Sequence, residues 1–436
     1  MAEAALVVLS GGVVRAEGAA APRRVAEAIA KLIKVRSFCC LVGAGASYHI
    51  GLPRIREMAF ADLEALTTRT GAVVSADARD LLAALVGEKR VDLEGLLAQL
   101  QVSLAFCQRM GLDALPIGEK KIGASTFASL RESLNKALAT DCDWLRHRSN
   151  LQEPLKSDPL RGHREFIRRL VTARGIDLPR VRVFTTNYDL LLESALDELR
   201  FPYSDGFVGT VSRWLQLETF DRDLYELQPG RRPQRVADML YLYKLHGSIN
   251  WTSDPSAELA TTEIHQSPGV SDRAVIFPTP QKDWDVLGYP YSDLLRAFSA
   301  HIMQPEAALI VVGYGFGDDH VNRVMARAIK ANTTLQLLVV APAGVLADEK
   351  DKNGQRTFSA SRLGSLAQIG SPRITVVSGA DATFERFAID LLPDPERDAT
   401  EAEREEGLAE AVDAALGTSS AAPKTTEPKP SPAVAQ

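Results

Sequence analysis

Ser37-Phe38-Cys39-Cys40-Leu41-Val42-Gly43-Ala44-Gly45-Ala46-Ser47 is the stretch on which the reading of the fold turns. A short apolar run ends in a turn where two glycines alternate with small residues. Glycine lets the backbone come close to a diphosphate, and the start of a following helix would offer free N–H groups. A strand, a glycine turn and then a new helix open a nucleotide-binding α/β unit. The dinucleotide fingerprint calls for a further glycine three residues after Gly45; that position holds Tyr48, so the ordinary dehydrogenase pattern is not met. A tight turn without any ligand accounts for Gly43, Ala44, Gly45, Ala46 and Ser47 equally well at this level.

Upstream, residues 23–34 carry Val25, Ile29 and Leu32 on one helical face. Downstream, residues 54–173 read as mainly helical, with Leu93, Leu96, Leu97 and Leu100 on one face and Phe127, Leu130, Leu134 and Leu138 on another. That is too long for one crossover helix and reads as a helical insertion. Strands are then expected at 181–184, 241–245, 274–277, 309–312, 337–340 and 374–377. Several are apolar on both faces, as buried parallel strands are. Polar residues and glycines gather just after them, where open α/β sheets bind ligands. The expected fold is α/β, a Rossmann-like, mostly parallel sheet with a large helical insertion. One domain is expected over 22–392, the insertion within it at about 54–173. Beyond 393 the composition becomes charge-dense and then rich in Pro, Ser, Thr and Ala, so 393–436 is expected to be largely disordered. Leu408, Val412 and Leu416 are four apart and suit a short amphipathic helix.

Fifty basic and 56 acidic residues in 436 give a net charge of −6, which excludes a chain held to nucleic acid by overall charge. No apolar run approaches the ~18 residues of a membrane helix. The four cysteines, Cys39, Cys40, Cys107 and Cys142, form no CxxC pair and are expected to be buried thiols rather than a disulfide framework. The Ala-rich N-terminus lacks the basic region of a signal peptide, and a cytoplasmic protein is expected. No GxxxxGK[ST] is present, so P-loop ATP hydrolysis would have to come from a partner.

Three further motifs stand at strand ends. Thr185-Thr186-Asn187-Tyr188-Asp189 puts an amide and a carboxylate two residues apart, which suits a ribose or amide ligand; helix capping is the plainer reading, and Asp189 satisfies it better than Asn187. Lys244-Leu245-His246-Gly247-Ser248 puts an imidazole before a glycine, a ready base near pKa ~6.5. Gly313-Tyr314-Gly315-Phe316-Gly317-Asp318-Asp319-His320 is a second glycine-rich turn that could hold the other half of a dinucleotide, with Asp318 as helix cap. Cys142, His147 and His163 lack metal-ligand spacing, so no metal site is expected. Arg161, Arg164, Arg168 and Arg169 read as a solvated basic helix face.

Taken together and in this order, the four motifs resemble the sirtuin superfamily, and more closely its bacterial sirtuin-like branch. The resemblance implies an NAD domain in which the Asn187 and His246 positions flank the nicotinamide ribose. Protein-deacylating sirtuins carry a zinc module with two cysteine pairs after the catalytic histidine. No cysteine follows Cys142 here, so neither zinc nor peptide deacylation is expected. The branch it resembles includes NAD-consuming effectors of anti-phage systems, some paired with HerA-type ATPases.

The resemblance therefore implies an NAD+ glycohydrolase releasing nicotinamide and ADP-ribose, with NAD+ as substrate. Asn187 would orient the ribose or the attacking water, and His246 would serve as general base. Gly43, Ala44, Gly45, Ala46 and Ser47 would hold the diphosphate beside Thr186. Asp189 would bond the nicotinamide carboxamide, and Gly313 and Gly315 would approach the adenosine side. Such an activity calls for control by a homo-oligomer, by a partner such as a HerA-type ATPase, or by another trigger, with 54–173 and 408–416 as contact surfaces. The competing readings are a protein deacylase or ADP-ribosyltransferase on the same site, a non-catalytic NAD or ADP-ribose sensor, and a purely structural subunit. Neither membrane nor direct nucleic-acid binding is expected.

Overall fold

The computed structural model describes residues 6–52, 75–86, 93–118, 120–253, 264–267, 274–276, 289–342, 346–350, 356–358 and 360–395. The chain divides into two compact units, Met1–Pro393 and Asp394–Gln436. Of the second, only Asp394 and Pro395 are described, so the expected disordered tail and the helix expected over 408–416 lie outside the described residues.

In chain order, the first unit opens with β1 (Val7–Ser10), β2 (Val13–Glu17), α1 (Ala21–Ile33) and β3 (Ser37–Val42). Then come α2 (Ala76–Val86), α3 (Leu93–Met110), the pair β4 (Ala114–Ile117) and β5 (Lys120–Gly123), α4 (Ala124–Asp141) and α5 (Arg161–Thr172). The middle holds β6 (Val181–Thr185), α6 (Leu191–Leu199), β7 (Tyr203–Ser204), β8 (Phe207–Val208), β9 (Arg213–Leu215), β10 (Leu240–Lys244), β11 (Gly247–Ser253), β12 (Ile264–Gln266) and β13 (Ala274–Ile276). The last part holds α7 (Tyr291–Ile302), β14 (Ala307–Val312), α8 (Asp319–Ala331), β15 (Gln336–Val340), α9 (Arg362–Gln368) and β16 (Ile374–Ser378).

The central sheet has nine strands in the order β2-β1-β16-β15-β14-β3-β6-β10-β7. Its parallel core starts in the middle at β3 and steps outward through β6 to β10. It then returns to the other side of β3 at β14 and continues through β15 to β16. This is the doubly wound, Rossmann-like order, and the reversal between β3 and β14 is the switch point where such sheets bind ligands. The antiparallel β1–β2 hairpin on β16 extends the sheet beyond the strands read from sequence.

The apolar runs are strands because both faces of the sheet are covered. Phe38, Cys40 and Val42 enter one core with Val25 and Ile29 of α1, Phe166 of α5 and Leu196 of α6. Cys39 and Leu41 enter the other with Phe298 of α7 and Met325 of α8. The two-residue alternation of β3 thus feeds two cores at once. All four cysteines are free and buried. Burial pushes the Cys39 thiol up to about 12, so it stays protonated.

The insertion is α2, α3, the β4–β5 pair and α4, around a small core of its own that includes Leu82, Leu97, Leu100, Phe127 and Leu134. Tyr188 and Ile249 join that core from the α/β layer, so the insertion packs on the loop that carries Asn187 and Asp189. One expected strand belongs elsewhere. Residues 274–276 do form a strand, but it pairs antiparallel with β11 in a second, five-stranded sheet of order β13-β11-β12-β9-β8. Its short apolar run looks like a parallel strand; pairing, which is non-local, decides otherwise. Among the described residues no helix is long and apolar enough to cross a membrane.

Candidate active site

Four neighbouring strands end in one row. Val312 of β14 pairs with Val42 of β3, Val42 with Thr185 of β6, and Thr185 with Lys244 of β10. At ~4.8 Å per interstrand step the row spans about 14 Å. The four motifs leave the sheet directly from it. Gly43 N donates to Val312 O (3.0 Å), Thr186 N to Val42 O (3.1 Å) and Leu245 N to Thr185 O (2.8 Å), so each loop is tied to its neighbour.

The two glycine turns pack against each other. A Cβ on Gly43 would lie 2.6 Å from Tyr314 Cα, and one on Gly45 would lie 2.9 Å from Gly313 Cα. Gly313 has φ +66° and no room for a side chain beside Ala46 N. These glycines are thus required by loop-to-loop contact. The turn after β3 does not run into an α-helix among the described residues; it makes two short 3-10 turns, Ala44–Ala46 and Tyr48–Ile50. The N–H groups of Gly43, Gly45, Ala46 and Ser47 all bond to carbonyls of these loops or of β14. Ala44, Tyr48, Gly315 and Gly317 are exposed here, and a side chain at Gly315 would meet open space.

Ser47 links the next two residues. Its Oγ donates to Asp189 Oδ2 (2.6 Å) and accepts from Asn187 Nδ2 (3.1 Å). All three side chains are buried. Because a carboxylate only accepts, the serine proton points to Asp189, and the serine oxygen is left to accept from the amide. This fixes the amide orientation and turns Asn187 Oδ1 the other way, where it is buried without a hydrogen-bond partner. It is one of thirteen such buried side-chain atoms among the described residues, and its place on a strand-end loop of this row is what singles it out. Asp189 Oδ1 meanwhile accepts from Leu191 N (3.1 Å) at the start of α6, as its capping reading requires. Asn187 N donates to Thr185 Oγ1 (3.0 Å), and that hydroxyl donates to Val42 O (3.0 Å).

Lys244 holds the same loop from below. Its Nζ donates to the carbonyls of Tyr188 and Asp189 and to Glu193 Oε1 (2.8 Å), all buried. Burial raises the Glu193 carboxyl above its ordinary value, and Lys244 only partly offsets this.

His246 is next to Tyr188, with ring centroids 6.2 Å apart. Its Nε2 is 2.7 Å from Asp318 Oδ2, and the two side chains are 17% and 8% exposed. Asp318 Oδ1 accepts from His320 N (2.9 Å) and Val321 N (3.2 Å), capping α8. The motif order thus brings Asn187, Asp189 and Ser47 into one hydrogen-bonded group. His246 stands beside that group through Tyr188 and is joined to the second glycine turn through Asp318. Sequence reading assigned Asp318 a cap alone.

Other candidates disperse. His163 stacks on His49 (centroids 5.5 Å) and packs on Phe384 (4.7 Å), away from Cys142 in the insertion core. Among the described residues no group of three or more His, Cys, Asp or Glu is placed to hold a metal. The basic face of α5 is paired rather than merely solvated: Arg164 bridges Asp158 and Glu198, and Arg168 and Arg169 both meet Glu165.

Residues 181–363 match the model of the SIR2-like domain family. The match begins at β6 and takes in Asn187, Asp189, His246, Gly313 and Asp318. A Sir2 homologue in complex with NAD is similar at 13% identity and TM-score 0.41, covering 86% of this chain and 94% of that one. A Sir2 homologue mutant in complex with 2′-O-acetyl-ADP-ribose is similar at 13% identity and TM-score 0.40, covering 87% and 96%. No curated protein matches the chain.

Proposed function

We propose that the protein hydrolyses NAD+ at the nicotinamide–ribose bond, giving nicotinamide, ADP-ribose and a proton. The observation that carries this reading is the buried, unpartnered Asn187 Oδ1 and the His246 imidazole on the loops that leave adjacent strand ends, within the stretch that matches the SIR2-like domain. Nicotinamide is a cationic leaving group and needs no strong acid to depart. The ribose C1′ becomes oxocarbenium-like, by analogy with other glycosyl cleavages. Asn187 Oδ1 accepts from a ribose hydroxyl or from the attacking water. His246 takes the proton that water or a ribose hydroxyl gives up, a role that typically contributes ~10²–10⁴-fold. Asp189, bonded to Ser47 and Leu191, acts chiefly by holding Asn187. Thr186 lies on the same loop. Because the N–H groups of Gly43, Gly45, Ala46 and Ser47 bond within the fold, diphosphate contact falls to the open edge at Ala44 and Gly315.

The test is chromatography of NAD+ incubated with the full chain, with and without the product of the neighbouring gene. Nicotinamide release that disappears in Asn187→Ala and His246→Ala, both folded, is the expected result. Unchanged turnover in both variants would refute the reading, and a rate that depends on an acylated peptide would redirect it to a deacylase. The proposal extends to a regulated role in anti-phage defence, with activity controlled by homo-oligomerisation or by a partner such as a HerA-type ATPase. Full activity of a monomer without any partner, seen by mass photometry and assay together, would remove that part.

A further inference from the structure

We infer that Asp318 is a positioning residue: it holds the His246 imidazole with Nε2–H against its own Oδ2 and so makes Nδ1 the basic nitrogen of the site. The inference rests on the hydrolase reading for its kinetic consequence and on geometry alone for the tautomer. Asp318 Oδ2 is buried and makes no hydrogen bond of regular geometry, yet it lies 2.7 Å from His246 Nε2; a carboxylate only accepts, and two lone pairs would repel at that distance, so the nitrogen carries the proton. In a neutral imidazole the other nitrogen then holds the lone pair.

The carboxylate cannot turn to accommodate the ring, because its second oxygen is held by two amides at the start of α8. The loop that carries it is held as well. Tyr314 Oη is 3.1 Å from Asp318 O and 3.1 Å from Asn322 Oδ1. Asn322 Nδ2 and Arg362 Nη1 both donate to Phe316 O, at 2.9 and 2.7 Å. Phe316 itself has φ +56°, a left-handed conformation that a bulky residue adopts only where its surroundings impose it. From the other side the ring meets Tyr188, which is anchored in the insertion core. One carboxylate therefore does two jobs: Oδ1 starts a helix, and Oδ2 sets the state of a base that lies 72 residues earlier in the chain.

Asp318→Asn separates the two jobs. Asn caps helices as well as Asp does, so its Oδ1 continues to serve His320 N and Val321 N. Its Nδ2 then faces His246 and can only donate, which forces Nε2 to accept and moves the ring proton to Nδ1. The expected result is an unchanged thermal midpoint with the Nε2–H tautomer in the wild type and the Nδ1–H tautomer in Asp318→Asn, read from the ¹⁵N shifts of the His246 ring. The turnover number should fall on the order of 10²–10⁴-fold while KM for NAD+ stays close to the wild-type value. A wild-type ring protonated at Nδ1, or an Asp318→Asn protein that keeps the wild-type kcat while His246→Ala loses it, would overturn the inference. Absence of nicotinamide release from the wild type would instead count against the hydrolase reading, and the ring shifts would still decide the tautomer.

Discussion

The two ends of the central sheet are both polar, yet they use their polar groups in opposite ways. At the N-terminal ends of β6 and β10, Arg180 donates to Asp223 (2.7 and 2.9 Å) and to the carbonyls of Val236 and Ala237. Arg235 donates to Asp223 (2.7 Å) and to the carbonyls of Ile176 and Leu178. These groups border an open depression of about 790 Å³ lined by Ile176, Asp177, Pro179, Asp223, Tyr225, Gln234 and Arg235. Space and charge are present, but the guanidinium groups and Asp223 are committed to one another and to the backbone. At the C-terminal ends, the Asn187–Ser47–Asp189 chain leaves one amide oxygen over, and the Asp318 contact leaves one imidazole nitrogen over. The difference between these two clusters is one of commitment: the guanidinium groups and Asp223 are used up on one another and on the backbone, whereas Asn187 keeps an amide oxygen to offer.

The largest effect expected from breaking this contrast is at the C-terminal end. Asn187→Ala and His246→Ala should each lower nicotinamide release by ~10²–10⁴-fold, with thermal midpoints near wild type. Arg180→Met attacks the opposite end. The change leaves Asp223 with Arg235 alone and takes the donor from the Val236 and Ala237 carbonyls, so urea unfolding should show a loss of about 1–3 kcal/mol, with turnover per folded molecule unchanged. Gly43→Ala probes the contact between the two glycine turns. Its Cβ would meet backbone at 2.6 Å, so stability should fall by about 1–3 kcal/mol and activity should fall with it as the loops part. Retained activity would show that the turns need not touch.

The smallest effect concerns imidazoles that the proposed reaction does not use. Burial, aided by Arg182, holds His301 down to about 4, and burial lowers His49 and His163 as well. Their folded values lie below the unfolded ~6.5, so the unfolded chain takes up protons first as pH falls. The stability they contribute is complete above about pH 6.5 and is lost as pH falls toward 4, by at most ~1.4 kcal/mol per pH unit for each group. His301→Gln should flatten that slope in urea titrations between pH 7 and 5. An identical slope in both proteins would assign the acid sensitivity to other groups.

Much of this was legible in the chain. β3 is found residue for residue at 37–42 because five apolar residues followed by glycine have few other uses, and β14, expected at 309–312, is found at Ala307–Val312 for the same reason. The four motifs are visible because small and polar residues interrupt apolar runs at strand ends. Less legible was the role of the glycines, which read as room for a phosphate and serve also as room for one another. The β1–β2 hairpin was missed because its outer strand is largely exposed and carries no buried periodicity. The strand expected at 274–277 is found at 274–276, but its sheet was not legible, because a three-residue run carries no information about its partner.

Sequence alone determined where the strands and the turns after them lie, since apolar alternation and the absence of a Cβ act over a few neighbouring residues. Only the tertiary structure decided that Ser47 stands between Asn187 and Asp189, some 140 residues further on, and that Asp318 turns a helix cap into the partner of His246. The physical reason is that a hydrogen bond depends on distance and direction in space, and the parallel sheet brings together atoms that their order along the chain keeps apart.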